Sequence, residues 1–503
     1  MRWHRSKRWV LAASLALAGR ADAARAPLPI VERDYDCKII ASTRELPGLP
    51  ADDPPRMNAW GQVAFFLLDS STYRSQIRVG HGDLDGHGHP ITHLFAEDEL
   101  SSGTSGFYLF GVGEPTIEDG GSVVFGGSRS SATGDGGPGI FRASWFQRVD
   151  KNSAPVVQST GLDPQSPYMN FPVVSTNSVS SLLFQANDHP RAKLYVGGNL
   201  VAQDGVDHVV NLADNAELIA PGNSSDYGYQ AYLDTGESAI FLNGTKRDGV
   251  PLSGSVMLIG LAVNGNIVPV ASWVRLDQST FPNHWTIEFE SDLGHATYVD
   301  SAIDPVGLDT VVPLSTSINA WNEVAFLVSG GDRSNDTRIF VTDGKQLVHV
   351  HCRDLQQTFG APGFTVTEIS PRALNADGQI AFLARTATPD TFLVRADPIP
   401  GQSARPTSCT GLDDGTPCDD GNPVTLSSCA SQTCVGQPTG LATSCDGVPD
   451  YTPCDAAEPG MQGWCVSQSC VGMSPVPESD PSEDGALAAL VLFCVRPRRR
   501  AAS

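Results

Sequence analysis

The residues best suited to chemistry lie in one short stretch near the start of the chain. Residues 81–89 read His-Gly-Asp-Leu-Asp-Gly-His-Gly-His, and His93 follows closely. Carboxylate oxygens and imidazole nitrogens alternating along a loop can face one side and bind a divalent cation. We therefore predict a metal site made of two carboxylates and two imidazoles: Asp83, Asp85, His87 and His89. Ca²⁺ is the first candidate ion, and the alternative is a solvated, glycine-rich connection between two strands.

Two further stretches are weaker candidates for binding a metal. One is His349-x-His351-Cys352, which fits equally the packed end of a strand, and the other is the turn-like run at 419–422. The sequence contains no Gly-x-Ser-x-Gly nucleophile elbow, no phosphate-binding glycine loop and no His-Glu-x-x-His motif. It therefore names no catalytic residue.

The elements that position these residues form a tandem repeat. Two intact copies of Asn-x-x-Gly-x-x-Ala-Phe lie at 58–65 and 375–382, and weaker copies lie between them. The six copies end at Phe65, Phe125, Phe184, Phe241, Phe326 and Phe382. The steps between them are 60, 59, 57, 85 and 56 residues, so four of the five agree. A constant period of this size indicates a repeat architecture.

Each copy has the chemistry of a β-hairpin turn. The Asn can bond its own downstream backbone, and the Gly can adopt a positive φ, which together favour a type I turn with a bulge. Val63 and Phe65 then alternate onto one face of the strand, and Ala64 faces the other, where a neighbouring sheet can come close. In the fifth copy Asn322 replaces the Gly, and in the fourth the Gly lies one place earlier.

Strand-like segments before and after each copy bring the total to about four strands per repeat, the size of one propeller blade. We predict an all-β fold, a six-bladed β-propeller over residues 37–398. The last copy lacks its final strand, and a spare one, Cys37–Ser42, precedes the first copy. This N-terminal strand is predicted to complete the last blade and to close the ring, and the alternative is an open β-solenoid.

The long fourth step predicts an insertion between Arg275 and Thr316. It carries a set of polar and aromatic residues: His284, Trp285, Glu288, Glu290, Asp292 and His295. Long insertions in a ring form loops on one face, where function tends to lie. The alternative is a tolerated surface excursion without a function.

Eight of the 11 cysteines lie in two modules within 399–472. The cysteines at 409–434 are separated by 9, 11 and 5 residues, and those at 445–470 repeat this spacing. So many cysteines with so little apolar sequence indicate small modules held by disulfides, of which three pairings are possible. Zinc is the weaker interpretation because CxxC pairs are absent. Cys37 and Cys352 occupy similar places beside the predicted closure, either bridged or as free thiols.

Both ends of the chain carry targeting signals. Residues 1–23 have a basic start, a short apolar run and an Ala-Asp-Ala cleavage site, as in a signal peptide. Residues 473–503 run from Pro-Val-Pro-Glu through a short apolar stretch to an arginine cluster, which predicts a sorting or membrane-anchoring tail. We therefore expect a secreted protein, or one on the outer cell surface.

The charge balance restricts the partners. The 503 residues carry 33 Lys+Arg against 56 Asp+Glu, a net charge of -23. Such an acidic protein repels nucleic acid and anionic lipid, so neither is expected as a partner.

The repeats resemble a known family. The Asn-x-x-Gly-x-x-Ala-Phe array is similar to the bacterial choice-of-anchor tandem-repeat family, and the run at 414–422 resembles cysteine-rich repeats of secreted myxobacterial proteins. The tail resembles sorting signals that begin near Pro-Glu and end in Arg. The resemblance implies export and surface display, with no family active site.

We predict a binding or structural protein of the bacterial envelope that meets an extracellular ligand or envelope component and has no catalytic activity. The alternative is a propeller enzyme, a hydrolase or lyase acting on extracellular polysaccharide. Such an enzyme would gather acids and histidines from three or more blades at one mouth of the ring.

Overall fold

The computed structural model describes most of residues 25–399 and shorter stretches of 409–472. The internal gaps are 47–54, 59–60, 70–73, 86, 99–105, 109–114, 119–120, 131–136, 146, 151, 159–169, 177–181, 189–190, 213–216, 219–226, 265–269, 281–282, 292–293, 307–314, 320, 330–336, 353–363, 376, 387–389, 400–408, 411–417, 419–424, 439–452, 456–461 and 467–468. The predicted signal peptide and tail lie outside the described residues. The chain divides into two compact units, Met1–Thr439 and Gly440–Ser503.

The described residues contain strands and no helix, which confirms the all-β prediction. Strand β1, Ile30–Ser42, comes first. Sheet 1 contains β2 (Arg56–Met57), β3 (Val63–Asp69), β4 (Arg74–Leu84) and β5 (Pro90–Glu97). Sheet 2 contains β6 (Gly106–Tyr108), β7 (Thr116–Ile117), β8 (Val123–Ser130), β9 (Gly137–Ala143) and β10 (Val157–Gln158). Sheet 3 contains β11 (Asn170–Thr176), β12 (Leu182–Asp188), β13 (Arg191–Val196) and β14 (Asn199–Gln203).

Four more sheets follow along the chain. Sheet 4 contains β15 (Val209–Leu212), β16 (Glu217–Leu218), β17 (Tyr227–Leu233), β18 (Glu237–Leu242) and β19 (Thr245–Pro251). Sheet 5 contains β20 (Val256–Asn264), β21 (Val270–Asp277), β22 (His284–Ser291) and β23 (Gly294–Asp300). Sheet 6 contains β24 (Thr316–Ile318), β25 (Val324–Ser329), β26 (Thr337–Thr342) and β27 (Leu347–His351). Sheet 7 contains β28 (Phe364–Leu374), β29 (Ile380–Thr386), β30 (Thr391–Pro398) and part of β1.

The repeat motif forms the predicted turn at the start of several sheets. Gly61, Gly121 and Gly378 have φ between 71° and 77°, and Asn322 takes the same conformation at 64°. The amide of Gly61 donates to the carbonyl of Asn58, and the amide of Asn58 donates to the carbonyl of Gln62, both at 3.1 Å. This pattern is a type I turn closed by a left-handed residue, so the turn prediction is confirmed.

The hydrophobic core of the described residues within 25–399 is divided into seven clusters, each shared by two consecutive sheets. Phe65 packs against sheet 7, whereas Ala64 faces sheet 2, as their alternation along β3 predicts. The aromatic side chain facing the preceding sheet is Phe65, Phe125, Phe184, Phe241, Trp273, Phe326 and Phe382 in sheets 1 to 7 respectively. The clusters therefore run in a closed circuit, the arrangement of a β-propeller.

Within residues 25–399 the described strands form seven sheets when the two joined by β1 are counted separately, against the six blades predicted. Sheet 5 begins with a hairpin that lacks the motif, and Trp273 takes the place of the motif's Phe. β19 is hard to recognise as a strand in the sequence, because Thr-Lys-Arg-Asp-Gly-Val-Pro is mostly polar. The predicted insertion at 275–316 is also not a loop throughout, because β22 and β23 occupy 284–300.

The predicted N-terminal closure is present and is more extensive than expected. The first half of β1 pairs in parallel with β27, from Ile30 to Asp34, and the second half pairs antiparallel with β30, from Tyr35 to Ser42. One strand thus joins sheets 6 and 7 into a continuous eight-stranded sheet. A disulfide links Cys37 to Cys352 across a Cα–Cα distance of 5.5 Å, which decides between the bridge and the free thiols.

The cysteine modules form small hairpins. In the first, β31 (Thr425–Ala430) pairs with β32 (Thr433–Pro438), and disulfides join Cys409 to Cys429 and Cys418 to Cys434. In the second compact unit, β33 (Pro453–Asp455), β34 (Gln462–Val466) and β35 (Ser469–Gly472) form a three-stranded sheet. Among the described residues, no helix is long and apolar enough to cross a membrane.

Candidate functional site

A cluster of charged side chains lies on the outer hairpin of sheet 5. Glu288 and Glu290 are two residues apart on β22, so their side chains share one face, and His295 on β23 pairs directly with Glu290. The Nε2 atom of His295 lies 2.9 Å from Glu288, and its Nδ1 atom lies 3.2 Å from Glu290. Thr297 also donates a hydrogen bond of 3.0 Å to Glu288. We call these residues the His295 cluster.

Sheet 4 extends this cluster from the neighbouring strand β19. Arg247 lies 3.5 Å from the carboxylate of Glu290. Asp248 accepts a hydrogen bond of 3.1 Å from the indole nitrogen of Trp273 and forms an ion pair of 3.2 Å with Arg275. Acidic and basic groups from two adjacent sheets therefore meet above the buried Trp273 ring.

The His295 cluster is suited to binding more than to proton transfer. Both ring nitrogens of His295 face carboxylates, so neither is available to accept a proton from a substrate. The carboxylates of Glu288 and Glu290 are buried, whereas the side chains of His295 and Arg275 are 47% and 42% exposed. The exposed guanidinium of Arg275 can donate hydrogen bonds to the hydroxyl or carboxylate groups of a ligand, while Asp248 holds it in place.

The sequence identified part of this site but misplaced it. It named Glu288, Glu290 and His295 as members of an insertion, and the structure brings these three together on a hairpin. Trp285 belongs instead to the core, His284 pairs with Asp300 at 2.8 Å, and Asp292 lies outside the described residues. Arg247, Asp248 and Arg275 were missed, because only the packing of sheet 4 on sheet 5 brings them here.

The predicted metal residues lie in the connection between β4 and β5. The Oδ1 atom of Asp85 accepts hydrogen bonds from the amides of His87 and His89, at 2.8 and 2.9 Å, which lower the pKa of Asp85. His81 lies 3.7 Å from Asp83, and His89 lies 3.6 Å from Asp85. In the part of the chain that the structure describes, two groups of three or more ligand atoms converge, and neither includes this loop. The Ca²⁺ site at Asp83, Asp85, His87 and His89 stays a prediction.

One converging group is formed by Glu32, His349 and His351 on the outer surface of the β1–β27 seam. Its ligand atoms all lie within 4.8 Å of one another. The other group, Cys409, Cys418 and Cys434, consists of disulfide-bonded cysteines. Glu32 was missed in the sequence because nothing local connects it to two histidines more than 300 residues away.

A third polar group lies on the inner side of the ring. From β28, the guanidinium of Arg372 donates to Ser175 at 2.9 Å and Thr116 at 3.3 Å, and also to the carbonyl of Thr176. Thr116 belongs to sheet 2, and Ser175 and Thr176 belong to sheet 3. Arg372 belongs to sheet 7, and sheet 1 lies between sheets 7 and 2. Arg372 therefore connects sheets that are not consecutive around the ring.

Comparisons with known proteins add little about activity. No family model and no curated protein matches the chain. Among solved structures, the WD40 β-propeller domain of Doa1 is similar at 10% identity and a TM-score of 0.37, covering 72% of this chain and 97% of that one. The polysaccharide lyase Uly1 is similar at 9% identity and a TM-score of 0.36, covering 69% and 90%. An acylaminoacyl peptidase of Pyrococcus horikoshii is similar at 11% identity and a TM-score of 0.37, covering 86% and 59%. Similarities at this level support no assignment of activity.

Proposed function

We propose that this chain is an exported binding or structural protein, displayed at a bacterial cell surface, whose β-propeller binds an envelope component without catalysis. The observation that supports this proposal most directly is that disulfides form in two separate parts of the chain. Cys37–Cys352 locks the ring, and two more disulfides form the first cysteine module. Disulfides persist in oxidising compartments, which agrees with the export predicted from residues 1–23.

The geometry of the His295 cluster supports binding as the role of the propeller. Each of its carboxylates has a partner: Glu290 pairs with Arg247, Asp248 with Arg275, and Glu288 with the imidazole of His295. Because Arg275 is partly exposed, it can bind a polar ligand without a large desolvation cost. The acids and the histidine come from sheets 4 and 5 alone, whereas the enzyme alternative requires three or more blades.

The second candidate, an enzyme that cleaves extracellular polysaccharide, is favoured by one observation. Glu288 and Glu290 lie next to an imidazole, and paired carboxylates are the usual acid and base of glycoside cleavage. Substituting Glu288 therefore separates the two proposals. A binding role keeps the polymer intact in every variant, whereas an enzyme releases new sugar ends only while Glu288 is present.

The proposal is tested with the purified mature chain and with intact cells. We expect the chain to co-sediment saturably with isolated cell envelopes, and Arg275→Ala with His295→Ala to weaken this at least several-fold, because both exposed side chains lie beside the buried carboxylates. The matched control is His208→Gln, which removes an exposed histidine paired with Asp234 on sheet 4. New reducing ends or unsaturated sugar ends in the supernatant, lost in Glu288→Gln, would establish the enzyme instead.

Export is tested separately. We expect protease added to intact cells to remove the chain and a thiol reagent to leave the six cysteines of the three described disulfides unmodified. Protection from protease together with reactive thiols would overturn the surface location.

A further inference from the structure

We propose that Glu32, His349 and His351 form a zinc site that clasps the N-terminal strand to sheet 6. The three residues come from two strands that are neighbours only because β1 closes the ring. Glu32 pairs with His349 in the parallel register of β1 and β27, and His351 lies two residues further on. All three side chains therefore emerge on the same face of the seam.

The side-chain atoms converge on one point. Oε2 of Glu32 lies 2.8 Å from Nδ1 of His349 and also contacts Nε2 of His351. The two imidazole rings meet edge to face with their centroids 4.1 Å apart. Two imidazole nitrogens and one carboxylate oxygen aimed at a shared point can move apart slightly to admit an ion between them.

The donor set selects the ion. Two histidines and one glutamate provide three of the four ligands of a tetrahedral zinc ion, and a water molecule takes the fourth position. Ca²⁺ requires six or more oxygen ligands, of which these residues supply at most two. The ring of His349 stacks on Phe340 with centroids 5.1 Å apart, which restrains the plane of the imidazole.

The exposure of the three side chains suits uptake from solution. His349 is 15% exposed, His351 38% and Glu32 62%, so an ion has access while one imidazole remains anchored in the surface. The strongly acidic chain also concentrates cations near its surface. A bound ion would connect residues 317 positions apart in the chain, next to the Cys37–Cys352 disulfide. Its role is thus to hold the closure shut, whatever the propeller binds.

The test uses the mature chain after dialysis against a chelator. Zinc titration followed by calorimetry and thermal melting is expected to show one bound ion and a raised melting temperature, because an ion that binds only the folded chain stabilises it. Glu32→Gln and His351→Gln are each expected to lower the affinity at least tenfold and to abolish the rise. Both side chains are partly exposed, and circular dichroism together with an intact Cys37–Cys352 bond checks that the variants fold.

Two controls give the outcomes that would overturn the proposal. His208→Gln removes an unrelated surface histidine and should leave zinc binding unchanged. The double variant His87→Gln/His89→Gln removes imidazoles of the β4–β5 loop and should also bind zinc normally. The proposal is refuted if the wild-type chain binds no zinc at micromolar concentration, if Glu32→Gln and His351→Gln bind it as the wild type does, or if only the loop variant loses it.

Discussion

The side-chain amide of Asn375 donates a hydrogen bond of 3.4 Å to the backbone carbonyl of Asn58, 317 residues away. The same contact links Asn319 to the carbonyl of Asn375 at 3.1 Å, and Asn58 to the carbonyl of Glu118 at 3.0 Å. The first residue of the repeat motif therefore does two things. It caps its own turn, and it bonds to the corresponding turn of the next sheet. This explains why a turn residue with many possible substitutes is Asn in the best copies.

Replacing Asn375 by Ala is expected to destabilise the ring. Asn375 is buried, and its side chain also bonds Gln379 and the turn amides, so the substitution leaves several buried polar groups unpaired. The expected loss is about 1–3 kcal/mol in the free energy of unfolding. Urea denaturation measures it. Asn199→Ala, at an exposed strand end, is the control, and equal effects of the two substitutions would show that the contact between turns contributes nothing.

Alanine is expected to be tolerated worse at Gly61 than at Gly378. Both glycines have positive φ, which costs an alanine about 1–2 kcal/mol. At Gly61 a new Cβ would also collide with Gln379 and lie 2.8 Å from a buried nitrogen of Arg395, whereas at Gly378 it would meet only Pro398 at 3.4 Å. Thermal melting of the two variants compares these costs. A lower melting temperature for Gly378→Ala would contradict the packing described around Gly61.

Stability is expected to fall in acid through Asp397. Burial alone would raise the pKa of Asp397, but the buried Arg395 at 2.6 Å and Lys38 at 3.0 Å hold that pKa below its usual value. A depressed folded-state pKa stabilises the protein above the unfolded-state pKa of about 3.9, and the contribution is lost as the pH falls through the folded-state value.

The corresponding variant is Asp397→Asn. It is expected to cost about 3 kcal/mol at neutral pH, because Arg395 is left buried without its partner carboxylate. The difference from wild type should shrink as denaturation is repeated below about pH 4. Asp390→Asn removes the more exposed ion pair with Arg44 and should change stability little at any pH. If Asp397→Asn lowers the free energy of unfolding equally at every pH, the acid sensitivity does not come from a depressed pKa of Asp397.

Removing the ring disulfide by Cys37→Ser/Cys352→Ser is expected to destabilise the propeller by about 3–5 kcal/mol, since the bond closes a loop of 315 residues. Thermal melting without reductant measures the effect. Cys409→Ser/Cys429→Ser removes a bond in the first cysteine module and should leave the melting of the ring unchanged. If the ring variant melts like the wild type, the strand pairing of β1 suffices for closure.

The second cysteine module is expected to repeat the pairing of the first. The described bonds join the first cysteine to the third and the second to the fourth. In the second unit, Cys465 pairs with Cys470 in the strand register, as Cys429 pairs with Cys434 in the first module. We therefore expect one disulfide between Cys445 and Cys465 and another between Cys454 and Cys470. Mass spectrometry of peptides from a non-reducing digest identifies them, and any other pairing contradicts the equivalence.

The features that the sequence predicts well are those encoded locally. The turn at Asn58–Gln62 needs only its own residues, and the closure by residues 37–42 follows from counting strands in a periodic array. The sequence does not predict sheet 5, because Val270–Trp273 stands where the motif would be. These four residues look like a segment of any apolar strand. The residues of the sites depend on packing: Asp248 reaches Trp273 only across two sheets, and Glu32 reaches His349 only through a parallel register.

The double pairing of β1 fixes the order in which this protein can mature. β1 is synthesised before its two neighbours, β27 and β30, which come more than 300 residues later. For most of translation its hydrogen-bonding edges stay open, and final assembly waits for contacts of very high sequence separation, which form slowly. A chain cut short before β27 would carry unpaired strand edges ready to associate with other chains.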